Sequence, residues 1–159
     1  MSTEDAETPT APEVPGPAPR LLLLRAPYYR SVVAGLTAGA TALLAAAGAG
    51  FEQLDVAGAF ELPQALRLAL RGSARFDGFI ALGCVVRGET DHYDHICRET
   101  MAGLMRVALD FGLCLGTGLL TVDTLAQAEA RSGARANKGA EAARAALMQI
   151  TAARRLGAA

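Results

Sequence analysis

The chain has 159 residues, of which 52% are hydrophobic and 19% are charged, and its formal net charge at pH 7 is −1. A chain of this length suits one domain with a buried core. The near-neutral charge and the lack of a basic block argue against nucleic acid and against an anionic membrane surface as partners.

The three cysteines, Cys84, Cys97 and Cys114, are odd in number and form no CxxC pair. This usage is typical of free thiols in a reducing compartment. No apolar run reaches the roughly 18 residues that cross a bilayer, and the first residues lack the basic stretch and apolar core of a signal peptide. We therefore expect a cytoplasmic protein that does not enter a membrane.

Residues 1–19 form a tail that differs in composition from the rest of the chain. An acidic stretch at 2–7 is followed by prolines at positions 9, 12, 15, 17 and 19. Such a segment buries too little apolar area to offset the entropy of ordering it. We predict that it is disordered or lies extended on a neighbouring subunit, and that one domain spans residues 20–159.

From residue 20 onward, short apolar runs alternate with stretches of helix-forming residues. The predicted elements are a strand at 21–24, a helix at 29–49, a strand at 51–56, a turn and short helix at 58–70, a strand at 76–85, a helix at 92–111, a strand at 113–120 and helices at 124–132 and 140–154. This alternation is typical of a parallel sheet with helices on both faces. We predict an α/β fold, a three-layer α/β/α sandwich with a four-stranded parallel sheet.

The segment 83–95, GCVVRGETDHYDH, is the most informative part of the chain. It carries a hydrophobic strand into a polar turn that ends at His92, where a helical pattern begins. In an open α/β sheet, ligands bind beyond the carboxyl ends of the strands, and helix amides can hold an anion there. The turn therefore predicts a binding site that includes a group titrating near neutral pH.

Other strand ends deliver further polar and aromatic residues to the same edge. Tyr28 follows the first strand, Phe60 and Glu61 follow the second, and Arg131 lies on the helix after the fourth. Each of these residues alone also fits a structural role, as a core edge, a helix start or a solvated charge. Their convergence favours a site.

Three other chemistries are disfavoured. His92 and His95 have the spacing of metal ligands, but the chain holds no other histidine, so zinc would lack a third ligand of this type. Cys84 and Cys97 have no base beside them and are weak candidates for a nucleophile. No GxGxxG or Walker-type loop is present, so the usual phosphate cradles for nucleotides are absent.

Five segments of the chain form a recognisable set: GAFELP at 58–63, ALGCVVRGETDHYD at 81–94, GLLT at 118–121, QA at 127–128 and NKGAEAA at 137–143. Together they resemble the lumazine synthase family, in the family's order and at its spacing over roughly residues 20–147. The resemblance implies an enzyme that condenses 5-amino-6-(D-ribitylamino)uracil with 3,4-dihydroxy-2-butanone 4-phosphate, releasing phosphate and water, in riboflavin biosynthesis. It also implies a flavodoxin-like fold and homopentamers, in some members assembled into an icosahedral shell. Active sites would lie between subunits and use no cofactor and no metal, and riboflavin synthase is a candidate partner.

The resemblance assigns roles to the matching residues. His92 would transfer protons, because a neutral imidazole with a pKa of about 6.5 can take and return them. The butanone phosphate would contact Glu89, Thr90, Arg131 and Lys138. The ribitylaminouracil would contact Tyr28, Ala59, Phe60, Glu61, Cys84, Val85, Val86 and Thr117.

Some positions depart from the family's usual residues. Tyr28 and Thr117 stand where phenylalanine is common, Glu89 stands where a small residue is common, and the loop at 132–136 is one residue shorter. Lys138 could contact phosphate, or its motif could serve the helix that follows.

A second function class stays open, a flavin or lumazine binding or storage protein on the same fold. The presence of Thr90, His92 and Arg131 favours the enzyme, since a binder needs no phosphate site. A flavodoxin-like redox module ranks last because no loop rich in Ser and Thr follows the first strand.

Overall fold

A computed structural model describes residues 9–158. Its elements, in chain order, are β1 (Arg20–Ala26), α1 (Arg30–Ala46), β2 (Gly50–Asp55), a 3₁₀ turn (Ala59–Glu61), α2 (Leu62–Ala69), β3 (Gly78–Val86), α3 (His92–Phe111), β4 (Leu115–Val122), α4 (Leu125–Ser132) and α5 (Lys138–Arg155). The disorder expected of residues 1–8 lies outside the described residues.

The four strands are parallel and lie in the order β2-β1-β3-β4. Helices α1, α4 and α5 pack on one face of the sheet, and α2 and α3 pack on the other. The chain therefore folds as a three-layer α/β/α sandwich of the flavodoxin-like type, which confirms the predicted fold class.

Alternate residues of β1 enter two separate cores. Leu21 and Leu23 pack in the core with α1 and α5, whereas Leu22 and Leu24 pack in the core with α2 and α3. Successive side chains of a strand point to opposite faces of the sheet, so a strand covered on both faces is apolar at every position. The edge strand β2 is instead exposed at each of its six residues.

Helix α5 lies close against both α1 and β4 because a glycine stands at each crossing. A Cβ atom on Gly139 would collide with the carbonyl oxygen of Leu36 in α1, and one on Gly116 would collide with that of Ala142 in α5. Small residues are thus required where these three elements meet.

Residues 9–19 run without regular secondary structure along α5. Arg154 donates from Nη1 to the carbonyl oxygens of Pro15 and Pro17, at 2.6 and 2.7 Å, and from Nη2 to the carboxylate of Asp77 at 3.2 Å. These contacts lie at the amino-terminal edge of the strands, because Asp77 directly precedes β3. The start of the domain at residue 20 stays a prediction.

The strand order also determines where a ligand can enter. The chain passes from β1 to β2 on one side and then to β3 on the other, so the loops after β1 and β3 diverge and leave a crevice at the carboxyl edge of the sheet. This is the edge at which the sequence predicted a site.

Candidate active site

A cleft of about 690 Å³ opens at this crevice. Three strand ends and the start of α3 form its walls. The lining residues are Tyr28, Tyr29, Ala57, Gly58, Ala59, Phe60, Glu61, Cys84, Val85, Val86, His92 and Ile96. The cleft thus collects every residue that the sequence assigned to the ribitylaminouracil except Thr117, and it adds His92.

The aromatic side of the cleft is open to solvent. Tyr28 is 76% exposed and Phe60 is 47% exposed, although both are large rings that a folded chain tends to cover. Tyr28 meets Tyr29 edge to face, with the ring centroids 5.2 Å apart. Sequence reasoning missed Tyr29, and its position directly after Tyr28 was the available signal. Exposed rings at the mouth of a cleft suit a flat heteroaromatic ligand that stacks.

Glu61 combines the two roles that the sequence left open. It stands at the start of α2, where the helix dipole favours a negative charge, and its side chain makes no capping hydrogen bond. It also lines the cleft. Its carboxylate is therefore available to accept hydrogen bonds from hydroxyl groups of a ligand.

The end of β3 forms the floor of the cleft through residues 84–86. Cys84 is only 4% exposed, and burial raises the pKa of its thiol from 9.0 to about 11. The thiol is neutral near pH 7, which agrees with the weak case for a nucleophile. Cys97 and Cys114 are also free thiols, both half-buried, and burial raises the pKa of each.

The loop of residues 88–91 joins β3 to α3 and leads into His92. Glu89 and Thr90 are exposed on this loop and lie outside the lining of the cleft. His92 starts α3 and faces the cleft. The loop is therefore placed at the rim, where a substrate group that extends from the cleft can reach it.

Ion pairs hold the two ends of this loop. Arg87 donates to Asp94 at 3.1 and 3.2 Å and to Asp123 at 3.0 Å. Hydrogen bonds from Arg87 hold the pKa of Asp94 below its usual range. Sequence reasoning did not connect these three residues, because they come from three different elements.

Besides Glu89 and Thr90, three more of the predicted site residues do not line the cleft. Thr117 lies exposed in the middle of β4, and Arg131 lies at the last turn of α4, where its Nη1 donates to the carbonyl oxygen of Gln127 at 2.9 Å. Lys138 pairs with Glu141 at 2.7 Å. Within one chain, the structure does not bring these three residues together with His92.

The motif that contains Lys138 serves the start of α5. The Asn137 side chain accepts hydrogen bonds from the amides of Gly139 and Ala140, at 2.9 and 3.0 Å. This is a helix cap, one of the two roles that the sequence allowed for the motif. The half-exposed ammonium of Lys138 lies beside the cap, with Glu141 as its partner.

Two features are absent from the part of the chain that the structure describes. Within residues 9–158, no group of three or more His, Cys, Asp or Glu residues is placed to hold a metal ion. Over the same residues, none of the helices has the length and apolar character that crossing a bilayer requires.

The fold is that of a flavodoxin-like protein, with a cleft at its topological switch point. A profile of the 6,7-dimethyl-8-ribityllumazine synthase family matches residues 18–154. The chain belongs to this family, which confirms the resemblance seen in the sequence. It is an enzyme, a transferase of riboflavin biosynthesis.

Individual relatives agree with the family match. The chain is 45% identical over 145 residues to the 6,7-dimethyl-8-ribityllumazine synthase of Paramagnetospirillum magneticum, covering 87% of this chain and 97% of the relative. It is 47% identical over 142 residues to that of Methylocella silvestris, covering 86% and 87%. It is 43% identical over 143 residues to 6,7-dimethyl-8-ribityllumazine synthase 1 of Rhizobium meliloti, covering 87% and 94%.

Proposed function

We propose that the cleft binds 5-amino-6-(D-ribitylamino)uracil and joins it to 3,4-dihydroxy-2-butanone 4-phosphate, forming 6,7-dimethyl-8-ribityllumazine with release of phosphate and water. The observation that carries this proposal is the composition of the cleft. Exposed rings, a free carboxylate, strand-end backbone and an imidazole surround one space of about 690 Å³.

The pyrimidine substrate fits the inner part of the cleft. Tyr28 and Phe60 present ring faces to the flat heterocycle. Glu61 accepts hydrogen bonds from the ribityl hydroxyls, and the backbone of residues 84–86 presents its polar groups to the pyrimidine edge. Most of the wall is apolar, which is typical of a small-molecule site with few orienting polar groups.

The phosphate of the second substrate is assigned to the rim. The amides of Glu89 and Thr90 and the Thr90 hydroxyl contact its oxygens, and the exposure of Glu89 leaves room for its carboxylate to turn away from the anion. Arg131 supplies a guanidinium fork suited to phosphate, and Lys138 supplies a second cation.

His92 moves the protons. Imine formation, loss of phosphate and ring closure each require a proton transfer, and a neutral imidazole in the cleft can serve all three. Alignment of the two substrates contributes a large share of the acceleration, so loss of His92 leaves measurable turnover.

The site is completed by a neighbouring subunit in a homopentamer. This part of the proposal is supported by the position of Thr117, Arg131 and Lys138, which lie away from the cleft of their own chain. It is also supported by exposed apolar side chains on α3, where Met105 is 58% and Leu109 is 73% exposed, since such surfaces mark contacts with other chains. The pentameric number, an icosahedral shell and association with riboflavin synthase rest on the resemblance. A cytoplasmic location rests on the cysteine usage and the composition of the sequence.

Turnover of the purified protein with both substrates tests the proposal. We expect saturable lumazine formation above the spontaneous rate. Arg131→Ala should raise KM for the butanone phosphate by about 10- to 100-fold, because it removes a charge-assisted contact to phosphate. His92→Ala should lower kcat.

Matched variants control for general damage. His95→Ala removes the exposed imidazole one turn beyond the cleft, and Arg144→Ala removes an exposed guanidinium on α5. Both should retain wild-type kinetics. Tight binding of a ribityl ligand without any turnover would instead support a storage protein and contradict the catalytic assignment.

A further inference from the structure

We propose that Arg87 is a positioning residue, whose guanidinium holds the loop of residues 88–91 closed against the end of β4 and so shapes the place where the phosphate-bearing substrate is received. This inference rests on the proposed role of that loop. Arg87 lies outside the lining of the cleft, so its effect is exerted through the loop.

The guanidinium joins three elements at once. Nε of Arg87, which follows β3, donates to Asp123 at the end of β4. Nη1 and Nη2 donate to the two carboxylate oxygens of Asp94, in the first turn of α3. A planar fork with all three nitrogens engaged fixes an orientation as well as a distance.

The loop has few other attachments. The amide of Arg87 donates to the carbonyl oxygen of Val122 at 2.9 Å, which extends the pairing of β3 with β4 by one residue. Among residues 9–158, no backbone amide of residues 88–90 donates to another backbone carbonyl. The side chain of Arg87 is therefore the principal link between the two ends of the loop.

The electrostatic balance of the rim also depends on Arg87. One guanidinium stands between two carboxylates, Asp94 and Asp123. Without it, both negative charges would face the loop that accepts a phosphate anion, and like charges repel. Because its nitrogens are already used by carboxylates, Arg87 does not itself serve as the phosphate ligand.

One further contact shows why lysine would not be equivalent to arginine at position 87. The guanidinium carbon of Arg87 lies 4.1 Å from the ring centroid of Tyr93. A planar cation can stack on the ring while it donates to both carboxylates, whereas a lysine ammonium acts as a point charge.

Three variants test the inference: Arg87→Gln, Arg87→Lys and, as a matched control, Arg25→Gln. Arg25 pairs with Asp55 at the same edge of the sheet, with a nitrogen to oxygen distance of 2.7 Å, but it has no contact with the loop. We expect Arg87→Gln to raise KM for the butanone phosphate by about tenfold or more, because displacement of the loop of residues 88–91 misplaces the phosphate that it contacts. KM for the ribitylaminouracil should change by less than about twofold.

Arg87→Lys should recover part of the lost affinity, since it restores the charge without the fork. Hydrogen exchange provides a readout that is independent of turnover. Amides of residues 88–94 should exchange faster in Arg87→Gln than in the wild type and in Arg25→Gln.

Equal changes of both KM values, or the same changes in Arg25→Gln, would overturn the positioning role, as would unchanged exchange of residues 88–94. Failure of the proposed function would give a different result, because the wild-type protein would then form no lumazine. Hydrogen exchange of residues 88–94 would still show whether Arg87 closes the loop.

Discussion

The side-chain amide of Asn137 donates to the carbonyl oxygen of Gly35, 2.9 Å away and 102 positions earlier in the chain. The same amide group donates to the carbonyl oxygen of Ser132, while its oxygen accepts from Gly139 and Ala140. One buried side chain thus connects α1, the end of α4 and the start of α5. The loop that joins the Arg131 end of α4 to α5 is held through this residue.

We expect Asn137→Ala to lower the free energy of unfolding by about 3 kcal/mol, because several buried polar groups lose their partner together. Urea denaturation monitored by circular dichroism measures the change. The control is Thr124→Ala, which removes the exposed cap of α4 and should cost about 1 kcal/mol. Equal losses in the two variants would mean that Asn137 acts only as a cap.

The raised pKa of Cys84 predicts how the free energy of unfolding changes with pH. Burial raises this pKa from 9.0 to about 11, so the folded state binds the thiol proton more tightly than the unfolded state does. The resulting stability is complete below pH 9 and is lost as the pH rises toward 11. We expect Cys84→Ala to show a shallower decline in unfolding free energy between pH 9 and 11, measured by urea titrations. An unchanged slope would show that the thiol does not titrate in this way.

Deletion of residues 1–17 should leave kcat and both KM values unchanged, because Arg154 holds residues 15–17 at the amino-terminal edge of the strands, away from the cleft. Steady-state kinetics and light scattering test this. Loss of activity or a smaller oligomer would show that the tail supports assembly.

Mixed oligomers test whether a site draws on two copies of the chain. If it does, His92→Ala and Arg131→Ala subunits unfolded and refolded together should recover up to roughly one quarter of wild-type activity, since random mixing pairs an intact cleft with an intact neighbour at that frequency. Each variant refolded alone should stay at its own lower level. A mixture that equals the average of the two separate activities would place the whole site within one chain.

The fold was predictable because local patterns and long-range packing agree. The run of leucines at 21–24 divides between two cores, and Gly48, which follows the end of α1, adopts a positive φ of 66°. The predicted ends of helices were less accurate where a side-chain cap determines the end. Helix α5 starts at Lys138, two residues before the expected 140, because the Asn137 side chain caps it.

The cleft was predictable in part. Parallel strands deliver their carboxyl ends to one edge, so Tyr28, Phe60 and His92 could be placed together from topology alone. The ion pairs of Arg87 could not, because its partners Asp94 and Asp123 follow from the distances between elements in the folded chain. The separation of Arg131 from His92 likewise depends on the packing of α4, so the spacing of these residues in the sequence does not predict it.

The glycines at the crossings of α5 with α1 and β4 have a consequence for mutational scanning. Truncation of side chains finds important contacts by removing atoms, yet Gly116 and Gly139 have no side-chain atoms to remove. We expect truncation of other side chains to leave these two crossings undetected, whereas Gly116→Ala and Gly139→Ala should each destabilise the fold by about 2 kcal/mol or more through overpacking. The tightness of these two crossings is therefore revealed by substitutions that add volume and not by those that remove it.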